Sequence, residues 1–332
     1  MATWRIGTVV TSLALVALLA LGSLACTAQP STPSYPTKGI DVIVAFGPGG
    51  AADVAARLTA NYLSKKWGQP INVVNLPGAS GITGTKRMLD SAADGYTLMM
   101  DNHATSSMGA AATANLPYKW DDRTMIARVT VDPVFYVVRA EAPWRTLKEL
   151  MDSAKSKPGS LKWGSAGVSG IGTFAMAMLF QAAGVDLANT NQALFDSGAA
   201  SVTAVAGGHT DIAAQQLSEI TSLVQAGKLK ALAVVMPERL KQFPDVPTIK
   251  EAGYDFFITG WQGLSGQPKL PGYVVQKWSE AIKEAAKDPQ FIEDAAKVSK
   301  IVAYMGPEEF TKFMHEEYDK YLPIAEKMGI RK

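Results

Sequence analysis

Short apolar runs alternate along this chain with segments whose apolar residues return every three or four positions. Runs at 41–46, 71–75, 96–100, 135–139, 161–164, 191–195, 210–214 and 229–236 have the length and side-chain character of strands. Between them Val54, Leu58 and Tyr62 share one helical face and Leu147, Leu150 and Met151 another; Val274, Trp278 and Ile282 repeat the spacing near the C-terminus. Strands alternating with helices predict an α/β fold of mainly parallel sheets flanked by helices. In such sheets ligands sit beyond the carboxyl ends of the strands.

Two segments share one design. Residues 40–58 (IDVIVAFGPGGAADVAARL) and 161–179 (LKWGSAGVSGIGTFAMAML) each run from an apolar strand through a glycine-rich turn into a helix opening with small residues. Each turn exposes unpaired backbone N–H groups at the positive end of a helix dipole, which suits an anion. One such turn in each half of the chain suggests a carboxylate-bearing ligand held between two lobes. The first turn offers Phe46, Gly47, Pro48, Gly49, Gly50, Ala51 and Ala52; taken alone, its glycines serve equally well to make a tight turn. The second offers Ser165, Ala166, Gly167, Ser169, Gly170 and Thr173, whose hydroxyls add donors around the amides. Asn75, the turn at Gly78 and Ala79, Asn102, His103 and Gln215 follow or end strands on the same side and are candidates to orient a ligand, although Asn75 and His103 can also cap local turns. Asp53 lies in the first helical turn and is expected to support the site rather than touch the ligand. The spacing of Thr248 and Glu251 is that of a capping box.

A polar break at Glu141-Ala142-Pro143 and a Gly-rich, Trp-containing stretch at 258–266, followed only by helical patterns, mark the expected lobe boundaries. One lobe is expected to comprise 36–138 with 262–332, the other 139–261, with two crossing strands as hinge and the C-terminal helices packed back on the first lobe. Upstream, Arg5 precedes an uncharged apolar stretch at 6–25, which reads as an export signal over residues 1–26. Gly22-Ser23-Leu24-Ala25-Cys26 resembles a bacterial lipoprotein cleavage box, so lipidation at Cys26 is expected, with 27–35 as a tether; ordinary cleavage nearby or an uncleaved anchor are the alternatives. Membrane contact is then expected only through the lipid anchor. Cys26 is the single cysteine, so the exported fold has none for disulfides or thiol chemistry. A chain of 332 residues, 47% hydrophobic and 19% charged, can bury a large core, and a formal net charge of +2 without a basic stripe gives no footprint for nucleic acid.

Taken in order, several motifs resemble the solute-binding proteins of tripartite tricarboxylate transporters, the Bug family. They are Tyr35-Pro36, the run Ile43 through Gly50 with Asp53, Gly68-Gln69-Pro70, Asn75 with Pro77-Gly78-Ala79, and Asp94-Gly95-Tyr96-Thr97-Leu98. Further matches are Gly164-Ser165-Ala166-Gly167, Gly207-Gly208 with Asp211, Ala231-Leu232-Ala233-Val234, and Pro244-Asp245-Val246-Pro247-Thr248 with Glu251 and Gly253. The resemblance spans essentially all of 35–332. It implies a two-lobed, type II periplasmic-binding-protein-like fold with a ligand cleft between the lobes, no cofactor, and delivery of a small organic acid or amino acid to membrane permease subunits. Asp53 belongs to the family signature.

Departures from that pattern bear on the ligand. Ala52 stands where the family commonly has a hydroxyl residue, and Phe195-Asp196-Ser197-Gly198 replaces a Tyr-Lys-Gly. If Asp196 faces the cleft it repels a second carboxylate and pairs with an ammonium group; the alternative is that it points to solvent. With Trp163 beside the second turn, the expected ligand is a monocarboxylate with an apolar or aromatic body, or an amino acid. The rival reading is a dinucleotide-binding enzyme, because Gly47 through Ala52 fit G-x-G-x-x-A between strand and helix. Against it, the next strand ends in Asn75 rather than an acid, His103, His209 and His315 are far apart, His315 lacks the second His of a zinc helix, and neither Ser165 nor Ser169 sits in G-x-S-x-G. No metal site is expected. A ligand sensor whose closed form is read by a receptor would share the same fold and site.

Overall fold

Strand β1 (Ile40–Val44) is almost wholly buried and flanked in parallel by β2 (Ile71–Asn75) and β3 (Thr97–Asn102), the arrangement its apolar run predicts. The computed structural model describes residues 34–331, so the signal segment, Cys26 and nearly all of the tether lie outside the described residues. After β1 come α1 (Ala51–Trp67), then α2 (Ile82–Leu89), α3 (Ser107–Ala112) and the long strand β4 (Thr124–Arg139). There follow α4 (Leu147–Ser156), β5 (Lys162–Ser165), α5 (Ile171–Ala183), β6 (Asn191–Leu194), α6 (Gly198–Ala206), β7 (Ile212–Gln216), α7 (Leu217–Gln225) and β8 (Leu229–Val235). The chain ends through β9 (Thr259–Gly266), α8 (Gly272–Ala285), α9 (Pro289–Lys297), β10 (Ile301–Met305) and α10 (Pro307–Lys327).

The strands form one curled sheet in the order β2-β1-β3-β9-β4-β7-β5-β6, with β8 and β10 also paired to β4. Every expected strand is present. The outer strands are parallel, β5 to both β6 and β7 as well as β1 to β2 and β3, but each pairing around β4 is antiparallel, so the sheet is mixed. Two strands were not expected. The Gly-rich stretch before the C-terminal helices is itself the buried strand β9, and β10 interrupts those helices. Its glycines hide β9 from a propensity reading, and packing requires them: a Cβ at Gly263 would lie 2.5 Å from the Phe310 ring.

Strand β4 changes partners midway. From Thr124 to Pro133 it pairs with β9, and with β10 over part of that length; from Val134 to Arg139 it pairs with β7 and β8. Strand β9 begins at Thr259, opposite Pro133, so the second passage between the halves lies at that same level. The C-terminal helix α10 does pack on the first half, through Phe310 and Met314 against Trp261 and Met125. Its far end goes further, placing Tyr321 and Ala325 in the core with Phe174 and Phe180 of α5.

At the change of partners sits a buried polar network. The Lys300 ammonium lies 2.6 Å from Asp132, with both side chains fully buried, and donates to Gln262 Oε1 at 2.9 Å. Asp132 also accepts from the Ser218 hydroxyl at 2.7 Å, and Gln262 donates to Gln216 Oε1 at 2.7 Å, so the network ties β4 and β9 to the start of α7. Removing one partner of such a pair strands the other charge. Lys300→Met is therefore expected to destabilise the protein by about 3–5 kcal/mol. Urea unfolding measures this; an unchanged midpoint would contradict it.

Candidate functional site

Both glycine turns lie at carboxyl ends of sheet strands. The first is clasped from outside the cleft. Asp53 accepts the Gly49 N–H at 2.9 Å and two Arg57 bonds, while the Asn75 amide donates to Phe46 O and to Asp53 at 3.0 Å each. Burial alone would raise the Asp53 pKa, but the Arg57 guanidinium, the Gly49 N–H and the Asn75 amide together hold it below the ordinary carboxylate value. Asp53 thus braces the first turn. Asn75 belongs to the same clasp rather than lining the cavity.

The second turn is also internally braced. Thr173 donates to Ser165 Oγ at 2.9 Å and to Gly167 O at 3.0 Å, and Gln192 donates to both hydroxyls at 2.8 Å. Ser165 and Thr173 thus brace the turn through each other and Gln192. No side chain caps the N-terminus of α5 at Gly170. Its first amides keep the open, positive character that favours an anion.

The turns meet across the cleft. Gly47 N–H donates to the Asp196 carbonyl at 3.0 Å, and Ser80 receives Val168 N–H at 3.2 Å while its own carbonyl accepts from Ser169 Oγ at 3.1 Å. Ser80 is presented by a strained turn in which Gly78, Ala79 and Ser80 all have positive φ, at 145°, 47° and 54°. Two consecutive non-glycine residues in that region cost energy, and such strain persists where a contact needs it. Gly78 and Ala79 serve to deliver Ser80 to the opposite turn.

What remains between the turns is a cavity of about 30 Å³. By this measure it holds one or two waters. Of the expected residues it gathers Phe46, Gly50, Ala51, Ala52, Asn102, His103, Ala166, Gly170 and Gln215. Gly47, Ser169, Gly78 and Ala79 fall at or near the closing contacts, Gly167 in the second turn against Ser80, and Pro48 and Gly49 are exposed. Asp196 is exposed and contributes its carbonyl rather than its carboxylate, so the solvent-facing alternative is the arrangement found. Phe195 packs its ring toward Gly164, and Trp163 is buried in the core with its indole N–H on Thr190 at 2.9 Å, so neither shapes the cavity.

His103 and Gln215 are 2% and 1% exposed, and His103 Nδ1 and Gln215 Nε2 have no hydrogen-bond partner. Buried polar groups left in this way mark places where a ligand or water completes the bonding. Burial, with the Lys300 charge second, drives the His103 imidazole down to about 3, so it is neutral at physiological pH.

Sequence reasoning missed Glu219, which also lines the cavity. Its carboxylate accepts the Ala51 N–H at 3.0 Å and the Gln216 N–H at 3.3 Å. The second bond is half of a capping box with Gln216, a spacing legible in the sequence; the reach to α1 is not. Burial, then the nearby Asp132 carboxylate, push Glu219 up to about 7. Ser197, Gly198 and Gln216, also unanticipated, complete that wall. Among the described residues no group of three or more His, Cys, Asp or Glu is arranged to hold a metal ion, and no helix is long and apolar enough to cross a membrane.

These groups set opposing pH dependences. His103 stays neutral when folded but takes a proton below 6.5 when unfolded, so its burial costs stability as pH falls from 6.5 toward 3. Glu219 binds its proton more tightly folded than unfolded, so stability falls as pH rises from 4.5 through about 7. Each slope is at most about 1.4 kcal/mol per pH unit. Denaturant unfolding at stepped pH should show His103→Gln flattening the acid limb and Glu219→Gln the limb from 4.5 to 7; unchanged limbs would contradict these assignments.

The family model of the tripartite tricarboxylate transporter family receptor matches residues 55–330. The chain is 31% identical over 305 residues to a UPF0065 protein from the gbd 5′ region of Cupriavidus necator, covering 90% of each chain. Among solved structures it is similar to the periplasmic binding protein BugD, with 25% identity, TM-score 0.84 and coverage of 90% of this chain and 100% of that one. It is also similar to MatC from Rhodopseudomonas palustris with bound malate, with 26% identity, TM-score 0.81 and coverage of 88% and 100%. These likenesses bear out the two-lobed, type II periplasmic-binding-protein-like fold implied by the sequence motifs.

Proposed function

Because this chain belongs to the tripartite tricarboxylate transporter receptor family, a family of periplasmic solute-binding proteins rather than enzymes, we propose that it captures a small carboxylate-bearing ligand between its two glycine turns and delivers it to membrane permease subunits. The observation that carries this reading is the pair of buried, unpartnered groups, His103 Nδ1 and Gln215 Nε2, beside the uncapped N-terminus of α5. A ligand carboxylate seated on the amides that open α5 would complete both kinds of bonding at once. The malate in the similar MatC structure is a carboxylate ligand of that protein and supports the same chemistry here.

The cavity of about 30 Å³ offers little room for such a ligand, which supports a reading in which the turns part to admit it. In this reading the lobe of 36–138 with 262–332 moves against the lobe of 139–261, and ligand binding shifts the open and closed populations. The dinucleotide reading loses support at the first turn, where Glu219 already occupies the Ala51 amide that a pyrophosphate would need. The proposal places the protein outside the cytoplasm, held to the membrane by a lipid at Cys26.

The test is a thermal-shift and calorimetric panel of organic acids, aromatic carboxylates, amino acids and NAD on the exported protein, refolded to remove carried-over ligand. A carboxylate at about 100 times its Kd should stabilise the fold by about 2.7 kcal/mol. Gln215→Ala should weaken its binding by about 1.5–3 kcal/mol, roughly 10- to 150-fold. A response to NAD alone would overturn the reading.

A further inference from the structure

The N-terminus of α1 was expected to receive a ligand anion, yet it already holds one supplied by the chain. Glu219 Oε1 accepts the Ala51 N–H at 3.0 Å from a side chain 168 positions away in sequence. The fit is close: a Cβ at Gly198 would fall 2.3 Å from either carboxylate oxygen, and one at Gly50 would lie 3.6 Å from Oε1. Only glycine at 198 leaves room for the carboxylate.

This anion has no counter-charge of its own. Glu219 forms no ion pair among the described residues; the Lys300 ammonium, whose charge reaches it, is held by Asp132 at 2.6 Å, and Asp132 itself adds negative charge. Burial and that neighbour push Glu219 up to about 7, as expected of a carboxylate lacking a cation. The same cavity is also lined by Gly170, at the uncapped N-terminus of α5, and by Ala166 of the second turn. One cavity thus carries both an open anion seat and a carboxylate without an ion-pair partner.

We propose that Glu219 is a specificity-determining residue: by filling the anion seat of the first turn it excludes a second ligand carboxylate and selects a zwitterion, whose single carboxylate sits on the second turn and whose ammonium group pairs with Glu219. This rests on the carboxylate-capture reading above and names its ligand class. A dicarboxylate would bring a like charge against Glu219 or have to displace it from Ala51. An uncharged tail would leave Glu219 without a partner. An ammonium group supplies the missing charge, and charge-assisted bonds of this kind are the strong ones.

The experiment compares alanine, 4-aminobutyrate, butyrate and succinate by isothermal calorimetry on the full exported protein, as wild type, Glu219→Gln and Glu219→Asp. Wild type is expected to bind at least one ammonium-bearing probe at least about tenfold more tightly than butyrate, and succinate more weakly still. Glu219→Gln should lose the ammonium preference and gain on succinate by about tenfold or more, while Glu219→Asp keeps the wild-type order. The aspartate variant retains the charge and serves if the glutamine variant does not fold. Succinate binding to wild type as tightly as the ammonium probes, or a Glu219→Gln variant with the wild-type order, would overturn the role of Glu219 while leaving carboxylate capture standing. Binding of none of the four by any variant would overturn both.

Discussion

The continuity of β4 is the constraint on which the site depends. Its residues from Thr124 to Arg139 serve first one half of the sheet and then the other, with the exchange at Pro133 and Val134. Because both halves share this strand, the turn after β1 and the turn after β5 are brought to face each other across one cleft. Lys300, Asp132, Gln262 and Gln216 fill the level at which partners change, and the hydrogen bonds they make tie β4 and β9 to the start of α7. A buried network of this kind is costly to break and specifies one arrangement.

Around the cavity the two halves meet through a few polar contacts, one between backbone groups and the others through side chains. Ser80 meets the second turn, the Asp196 carbonyl meets Gly47, and Glu219 meets Ala51. Hydrogen bonds of this kind contribute modest net energies, which fits the proposed reading in which a ligand shifts the balance between open and closed lobes. The groups left unsatisfied, His103 Nδ1 and Gln215 Nε2, are where a ligand adds most. Turn geometry, a neutral histidine and an internal carboxylate together describe a binding cleft.

Much of this was legible in the sequence because it rests on local chemistry. The two glycine turns were visible as strand, turn and helix. Asp53 follows from its place in the first helical turn, and Thr248 and Glu251 form the reciprocal capping bonds their spacing implies. What was hidden depends on neighbours distant in sequence. Strand β9 reads as loop until Phe310 and Gln216 explain why Gly263 and Gly260 carry no side chain. Asp196 takes the solvent-facing alternative while Glu219, for which the sequence suggested no part, faces inward, because the local fold, not residue type, decides which acid does so. Ser165 and Thr173 offered hydroxyls to a ligand on paper, but Gln192, brought alongside by β6, binds both.

The central claim is that a carboxylate is held at the opening of α5 while the lobes close over it. A crystal structure of the protein with its tightest-binding carboxylate tests this most directly. The account predicts carboxylate oxygens at about 2.7–3.1 Å from the amides that open α5, with His103 and Gln215 turned onto the ligand. A carboxylate on the Ala51 amide with Glu219 displaced, or a ligand bound outside the space between the turns, would contradict it.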